Sequence, residues 1–246
     1  MSKVFVFHGG DHKCGVSQIS QSAAELMARR NPDMTVMLIH ADGKRGGEYC
    51  ANVRESIGRI RPYLAEQMLD TKETLDRARY KDNLYIIGGS DDPLSASSLK
   101  ADMSEFLISA LKNFCDVFII DSGSELNPGF GLGALFSADR VYLMLLQSEN
   151  CLRHFEWNRS LYEKLRIPFD VFIINKYDRL SAYDASYIEK RLGIEGRTVI
   201  KLPAHSMGKE CEIKGESLVS ARKERAFEKG LELIVKDIEE NAEHES

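Results

Sequence analysis

A glycine-containing segment early in the chain has the spacing of a phosphate-binding loop. Four residues separate Gly10 from Gly15, and Ser17 follows, which is the pattern GxxxxGK[ST] with Val16 in place of the lysine. A turn that leads into a helix N-terminus offers backbone N–H groups and a partial positive charge to an anion. Ser17 can also supply the hydroxyl that holds Mg²⁺. The predicted nucleotide-binding residues of this loop are Gly10, Asp11, His12, Lys13, Cys14, Gly15, Val16 and Ser17.

Short apolar segments alternate with longer helical stretches along the chain. Strands buried on both faces and separated by helices are typical of a parallel sheet covered by helices on both sides. We therefore expect one α/β domain over residues 1–246, with a mostly parallel sheet of about seven strands. The loops that follow such strands share one edge, where ligands bind. The predicted strands are Val4–Phe7, Thr35–Ile39, Leu84–Ile87, Val117–Ile120, Arg140–Leu146, Val171–Ile174 and Thr198–Leu202. The predicted helices are Ser17–Arg30, 51–81 with an interruption at Pro62, Asp102–Asn113 and about Ser220–Glu239.

The last predicted helix carries one apolar stripe, formed by Phe227, Leu231, Ile234 and Val235. We expect this stripe to pack on the domain and not on a membrane. The acidic stretch from about residue 239 to 246 is expected to be disordered.

Composition and charge exclude several classes of protein. The net charge of −5 argues against a dedicated nucleic-acid binder, whose footprint is a basic excess. No apolar run approaches the roughly 18 residues of a membrane span, and the first residues do not form a secretory signal. The five cysteines are widely spaced and form no CxxC pair, as expected for reduced thiols in a cytoplasmic protein.

Five segments in the same order resemble the MinD/ParA family of deviant P-loop ATPases, from residue 3 to about residue 205. The loop Gly10–Ser17 is similar to the family's GKGGxGKT. The other four segments are Val36–Asp42, similar to VLLIDxD; Asp116–Asp121, similar to YDxIIID with its terminal Walker-B aspartate; Ala138–Val141, similar to the AD-x-V strand entry; and Val171–Asn175, similar to a strand that ends in asparagine. The resemblance implies a three-layer P-loop NTPase-like fold that binds ATP with Mg²⁺. It also implies that Asp121 belongs to the metal shell and that Asp42 positions the water if hydrolysis occurs.

The chain departs from the family pattern where charge matters most. Asp11 and Val16 stand where the family has its two loop lysines, and Lys13 occupies a position that the family usually fills with glycine. His40 replaces the first aspartate of the DxD pair. A charged hydrogen bond contributes about 1.5–3 kcal/mol, so we expect weakened nucleotide binding and little or no hydrolysis.

The branch that this chain resembles most is the CpaE/TadZ-like one, which helps to position pilus and secretion machinery and often has a weakened P-loop. The leading hypothesis is therefore a nucleotide-binding regulatory protein that acts as a homodimeric positioning or assembly factor, with an unidentified protein partner. The second hypothesis is an interaction scaffold that has lost nucleotide binding.

A third hypothesis is a GTP-binding protein. Asn175 and Asp178 fit the NKxD pattern, in which the asparagine addresses the base edge and the aspartate accepts from guanine. The family commonly has asparagine followed by a basic residue here with adenine bound, so the resemblance favours adenine and a chance match at Asp178, with guanine as the alternative.

Other polar residues fall at the same edge of the predicted sheet. His8, His12, Cys14 and His40 suit Zn²⁺ by type, but they lack the short ligand spacing of a zinc site. Cys14, at a helix N-terminus, is also a candidate for redox sensing, although a small buried thiol is the favoured interpretation. Lys44 and Arg45, in the loop after Asp42, are interpreted as a solvated charge pair, with contact to phosphates or to a partner as the alternative. The segment Pro128–Gly133 is a candidate for a mobile, nucleotide-sensitive loop or for a flexible linker.

Overall fold

The computed structural model describes residues 2–43, 49, 50, 52–90, 92, 96–127 and 129–243. The described residues form nine strands, which belong to one sheet. The strands are β1 Lys3–Gly9, β2 Val36–His40, β3 Glu55–Ser56, β4 Arg79–Lys81, β5 Leu84–Gly88, β6 Val117–Asp121, β7 Arg140–Leu146, β8 Val171–Asn175 and β9 Thr198–Leu202. The helices are α1 Val16–Arg30, α2 Ile57–Ala65, α3 Thr71–Ala78, α4 Ala101–Leu111, α5 Gly129–Phe136, α6 Glu149–Lys164, α7 Ala185–Leu192, α8 Gly208–Lys214 and α9 Arg225–Glu243.

The sheet is parallel except at one strand. Its order is β3-β5-β2-β6-β1-β7-β8-β9, and β4 pairs with β5 in the antiparallel sense. The α/β fold class is confirmed, and the strand count differs from the expected seven because β3 and β4 are additional. Both strands are two or three residues long and are formed by pairing with β5, so apolar alternation cannot reveal them.

The prediction of one helical stretch over residues 51–81 is wrong in detail. Two helices, α2 and α3, lie between these short strands. Pro62 does not interrupt the helix, because α2 continues through it to Ala65. The break comes at Gln67, which has a left-handed φ of 52°, and α3 begins after Asp70, whose side chain accepts from the N–H of Glu73.

The final helix packs on the domain as expected. Phe227, Leu231, Ile234 and Val235 are buried, and Asp237 accepts two hydrogen bonds of 2.7 Å from Arg140 on β7. The helix extends to Glu243, four residues beyond the expected end, and residues 244–246 lie outside the described part. No helix among the described residues has both the length and the apolar character that crossing a membrane requires.

The segment after β6 also differs from the expectation. The sequence leaves a mobile loop or a flexible linker open for Pro128–Gly133, but Gly129–Phe136 is the helix α5, with Phe130 and Ala134 buried; Pro128 lies outside the described residues. The helix forms in spite of its glycines because it packs closely against α4.

The strand order places the predicted loop at the end of a central strand of the sheet. β1 lies between β6 and β7, and its residues Val4–Phe7 are fully buried. Because neighbouring strands are parallel, their carboxyl ends meet at one edge. The loop 10–15, Asp121 and Asn175 all lie at that edge.

Candidate functional site

The loop between β1 and α1 is fixed at its base by the neighbouring strands. The N–H of Gly9 donates to the carbonyl of Gly123 at 2.7 Å, and the N–H of Gly10 donates to that of Met144 at 2.8 Å. His154, on α6, donates from Nδ1 to the carbonyl of Gly10 at 2.8 Å. These contacts hold the start of the loop against β6 and β7.

Two residues of the loop have a left-handed backbone. Lys13 has φ of 60° and Gly15 has φ of 87°. This conformation costs a side-chain-bearing residue about 1–2 kcal/mol, which accounts for the glycine expected at position 13. At Gly15 the restriction is also steric, since a Cβ there would lie 2.5 Å from Nδ2 of Asn175. The loop therefore has a lysine at one of its two left-handed positions and a glycine at the other.

The helix that follows the loop begins without a cap. Among the described residues, no side chain accepts a hydrogen bond from the first turn of α1, and that turn holds no acidic residue. Ser56, Asp70, Ser148 and Asp184 cap the starts of α2, α3, α6 and α7. The helices α4 and α8 also lack a side-chain cap, but each has an acidic residue in its first turn, Asp102 and Glu210. An uncapped helix start leaves N–H groups and the positive end of the helix dipole available to an anion.

The loop opens into a cavity of about 1130 Å³. Seven of the eight predicted loop residues line it, from Asp11 to Ser17, together with Asp42, Asp121 and Asn175. The opposite wall comes from a segment after β9 that includes Ala204, His205, Ser206, Gly208, Lys209 and Glu212. A cavity of this volume is large enough for a nucleotide-sized ligand.

Asp121 is the most deeply placed carboxylate of the cavity. Its Oδ1 accepts from the N–H of Gly123 at 2.9 Å, and its Oδ2 lies 3.4 Å from Nδ1 of His40. Burial alone raises the pKa of Asp121, but the hydrogen bonds from His40, Ser17 and Gly123 outweigh it and lower the pKa below the usual value. Asp121 is therefore ionised, and the Ser17 hydroxyl lies within hydrogen-bonding distance of it.

Solved structures with the same architecture cover nearly the whole chain. A ParA family ATPase from Chlorobium tepidum TLS superposes with a TM-score of 0.81 at 20% identity, over 94% of this chain and 96% of that one. The septum site-determining protein MinD from Pyrococcus horikoshii OT3, complexed with Mg-ADP, gives 0.78 at 17% identity, over 99% and 98%. A complex of ATP with a single-residue variant of McdA from Cyanothece gives 0.71 at 16% identity, over 97% and 96%.

The chain has the fold of the ParA and MinD ATPases. At these identities the likeness concerns the fold alone. No protein-family model matches the chain, and no curated protein sequence shows significant similarity to it.

Oxygen ligands suited to Mg²⁺ converge at one side of the cavity in this ParA/MinD-type fold. The Ser17 hydroxyl and the carboxylates of Asp42 and Asp121 line the same space. Hydroxyl and carboxylate oxygens are the ligands that this hard cation prefers, so the residues fit the metal. Nε2 of His40 is buried and has no hydrogen-bond partner among the described residues, so this substitution leaves a polar atom unsatisfied.

Three lysines line the cavity. Lys13 belongs to the loop, Lys176 follows β8 with a left-handed φ of 53°, and Lys209 lies on α8 across the cavity. Sequence reasoning did not find Lys176 or Lys209 as cavity residues. Lys176 follows a strand end at the ligand edge, which is a usable signal, whereas Lys209 has no local motif. Lys44 and Arg45 lie outside the described residues.

Asn175 and Asp178 are placed differently. Asn175 lines the cavity, but its Nδ2 donates to the carbonyl of Cys14 at 2.7 Å and its Oδ1 accepts from the N–H of Lys176 at 2.9 Å. Asp178 accepts from the N–H of Leu180 at 2.9 Å and is not among the lining residues. Gly10 does not line the cavity either, and its N–H and carbonyl are hydrogen-bonded to Met144 and His154. The structure thus gives Asn175 a role in holding the loop.

The four residues considered for zinc have separate surroundings. His12 lies 2.9 Å from Glu125, His40 faces Asp121, and Cys14 contacts Cys151. No group of three or more histidine, cysteine or acidic side chains among the described residues is arranged to hold a metal ion.

His8 belongs to a buried chain of hydrogen bonds. The hydroxyl of Ser122 donates to the carbonyl of Phe7 at 3.0 Å, so Nδ1 of His8 donates to that hydroxyl at 2.9 Å. Nε2 of His8 then accepts from Tyr162 at 2.9 Å. Burial lowers the pKa of His8 to about 4, which keeps the ring neutral. This series of hydrogen bonds connects Tyr162 on α6 to Ser122, the residue that follows Asp121.

Proposed function

We propose that this chain is a nucleotide-binding regulatory protein of the ParA/MinD type, whose single domain binds ATP with Mg²⁺. The uncapped start of α1, which opens into a cavity of about 1130 Å³, is the observation that carries the proposal. Backbone N–H groups at such a helix start bind phosphate without any side chain. Two neighbours in fold support the choice of ligand, since one is a complex with Mg-ADP and the other a complex with ATP.

Hydrolysis is weak or absent in this proposal. Val16 and Asp11 replace the two lysines that the family resemblance implies, so the ammonium groups expected at those two positions are absent and cannot stabilise charge on the transferring phosphoryl group. The side chain of Val16 is apolar and the residue is 7% exposed, so Val16 can offer phosphate only its backbone N–H. Each missing charged hydrogen bond costs about 1.5–3 kcal/mol, or roughly ten- to a hundredfold in affinity or rate.

Ser17 and Asp121 are the proposed Mg²⁺ residues, and Asp42 is the proposed water-positioning residue. A bound Mg²⁺ neutralises phosphate charge. Asp121, ionised and held by Gly123, presents a fixed negative charge near the loop. Gly10 and Asn175 act on the nucleotide indirectly, through the position of the loop backbone.

Nucleotide binding is proposed to control the assembly of this protein with itself and with a partner. A homodimer that forms or changes with nucleotide would position an unidentified protein partner, and pilus or secretion machinery is the candidate. The resemblance to the CpaE/TadZ-like branch supports this part. One neighbour in fold, from Aquifex aeolicus, is a MinC:MinD cell division protein complex, so a protein of this fold binds a protein partner.

Calorimetric titration with ATP, ADP and GTP, with and without Mg²⁺, tests the proposal when it is combined with mass measurement in solution. We expect saturable binding of Mg-ATP, weaker binding of GTP and an increase in mass toward a dimer. Ser17→Ala should remove the Mg²⁺-dependent part of the affinity, whereas Ser22→Ala, a buried serine on the same helix, should not. Absence of heat with every nucleotide would make the chain a scaffold, and tighter GTP binding would favour the third hypothesis.

A further inference from the structure

Two cysteines meet between the phosphate loop and the start of α6. Sγ of Cys14 lies 3.7 Å from Sγ of Cys151, and both residues are buried. Among the described residues, the other three cysteines make no comparable sulfur–sulfur contact. The contact exists because β1 and β7 are neighbours in the sheet, so the turns that follow them run side by side.

We propose that Cys14 and Cys151 form a reversible disulfide bond when the protein meets a hydroperoxide, and that this bond disables the phosphate loop. A disulfide has an S–S length of about 2.05 Å, so the sulfur atoms must approach each other by about 1.7 Å. Rotation about one side chain with a small shift of the loop is a movement of this size.

The two thiols differ in a way that assigns their parts. Cys151 lies in the first turn of α6, and its sulfur accepts from the N–H of Leu146 at 3.3 Å; in its contact with Sγ of Cys14, either sulfur can be the donor. The contact between the two sulfur atoms lowers the pKa of Cys151 and raises the pKa of Cys14. The N–H of Leu146 also stabilises negative charge on the Cys151 sulfur, so Cys151 is assigned as the nucleophile. Cys14 lines the cavity and Cys151 does not, so a small oxidant must reach the buried pair from the Cys14 side.

The reaction consumes one hydroperoxide for each disulfide. Cys151 gives up its proton and its thiolate attacks the peroxide, so that an S–O bond forms and the O–O bond breaks; the departing oxygen takes up that proton and leaves as water or alcohol. The Cys14 sulfur then attacks the sulfenic acid, an S–S bond forms, the S–O bond breaks and water leaves with the thiol proton. Two thiols are oxidised by two electrons in total, and the peroxide is reduced.

The disulfide acts on the loop through Asn175. The carbonyl of Cys14 accepts from Nδ2 of Asn175, and Gly15 lies directly against the same amide group. Moving Cys14 toward α6 disturbs both contacts and shifts the N–H groups at the start of α1. This step rests on the proposed function, whereas formation of the disulfide does not.

Peptide mapping by mass spectrometry tests the proposal on the full chain. The reduced protein is treated with hydrogen peroxide, remaining thiols are alkylated, and peptides are analysed without reduction. We expect a Cys14–Cys151 cross-linked peptide that dithiothreitol removes. Cys115→Ser, a matched buried cysteine at the opposite end of β6, should leave the cross-link intact, and Cys151→Ser should abolish it. Full alkylation of Cys14 and Cys151 after peroxide, or separate sulfinic acids without a cross-link, would overturn the proposal; this result needs no variant to fold.

Calorimetry on the oxidised and reduced forms tests the consequence. We expect Mg-ATP affinity to fall about tenfold or more on oxidation and to recover with dithiothreitol. A cross-linked protein with unchanged affinity would overturn the regulatory part. A reduced protein that binds no nucleotide would refute the proposed function, and the cross-link would still be decided by the peptide map.

Discussion

Gly15 and Asn175 are packed so closely that a Cβ on Gly15 would lie 2.5 Å from Nδ2 of Asn175. The same amide nitrogen donates to the carbonyl of Cys14, so one side chain at the end of β8 fixes two consecutive residues of the loop. The end of β8 and the start of α1 are thereby joined, although 160 residues separate them in the chain.

Gly15→Ala should destabilise the protein more than Gly196→Ala does. Both glycines have a φ above 80°, but nothing lies within 4 Å of a Cβ built on Gly196, so its replacement isolates backbone strain of about 1–2 kcal/mol. The additional loss at Gly15 measures the clash with Asn175. Urea unfolding of the two variants gives the comparison, and Asn175→Ala in the Gly15→Ala background should recover part of the difference. Equal losses at the two glycines would show that Asn175 does not press on the loop.

Val16→Lys should raise Mg-ATP affinity. It restores the ammonium group that the pattern GxxxxGK[ST] contains, and a charged hydrogen bond contributes about 1.5–3 kcal/mol, or roughly ten- to a hundredfold. Met68→Lys adds the same charge at a residue that is 75% exposed, on the turn between α2 and α3, and should leave the affinity unchanged. Calorimetry compares the Mg-ATP affinities of the two variants. An equal gain in affinity in both would mean that the added net charge, and not the position of the ammonium group in the loop, causes the gain.

The buried strands and the loop were predictable from the sequence because their signals are local. Continuous apolar runs such as Val4–Phe7 and Val117–Ile120 indicate strands covered on both faces, and the Gly10–Ser17 spacing identifies the turn that follows. Three features were not predictable. β3 and β4 depend on pairing with β5, and α5 contains three glycines, which disfavour a helix until α4 packs against them.

The far wall of the cavity illustrates why a site is harder to predict than a fold. The segment from Ala204 to Glu212 carries no motif, and it reaches the loop only because β9 ends at the same edge of the sheet. Gln18 on α1 donates to the carbonyl of Gly208 at 3.1 Å, so this wall is fixed to the helix that follows the loop. A contact between residues that are 190 positions apart cannot be predicted from the spacing of neighbouring residues in the sequence.

His8 should make stability depend on pH in the acidic range. Its pKa falls from 6.5 in the unfolded chain to about 4 in the folded one, so the unfolded state binds more protons between these values. The stability associated with neutral His8 is therefore present above pH 6.5 and is lost as the pH falls toward 4. Between pH 7 and pH 5 this loss amounts to about 2 kcal/mol. His8→Gln, which cannot titrate, should show a correspondingly shallower decline in urea unfolding, and an imidazole NMR titration with a midpoint near 6.5 would contradict the prediction.

His40→Asp should make stability depend on Mg²⁺. The change places a second carboxylate beside buried Asp121, where His40 now lies 3.4 Å away, and leaving that charge uncompensated costs about 3 kcal/mol. His40→Asn keeps an N–H near the position of Nδ1 and should cost only about 1 kcal/mol. Thermal unfolding with and without Mg²⁺ distinguishes the variants, since the cation should recover stability in His40→Asp. If His40→Asp is as stable as the wild type without Mg²⁺, the contact between His40 and Asp121 does not restrict the residue at position 40.

The central claim is that backbone N–H groups at the start of α1 hold a polyphosphate without the usual loop lysine. Amide NMR of the full chain during titration with Mg-ATP tests this claim most directly. The account predicts saturable shifts at Gly15, Val16 and Ser17, with one common affinity. Saturating Mg-ATP that leaves these three resonances unmoved, while other signals shift or none do, would contradict it.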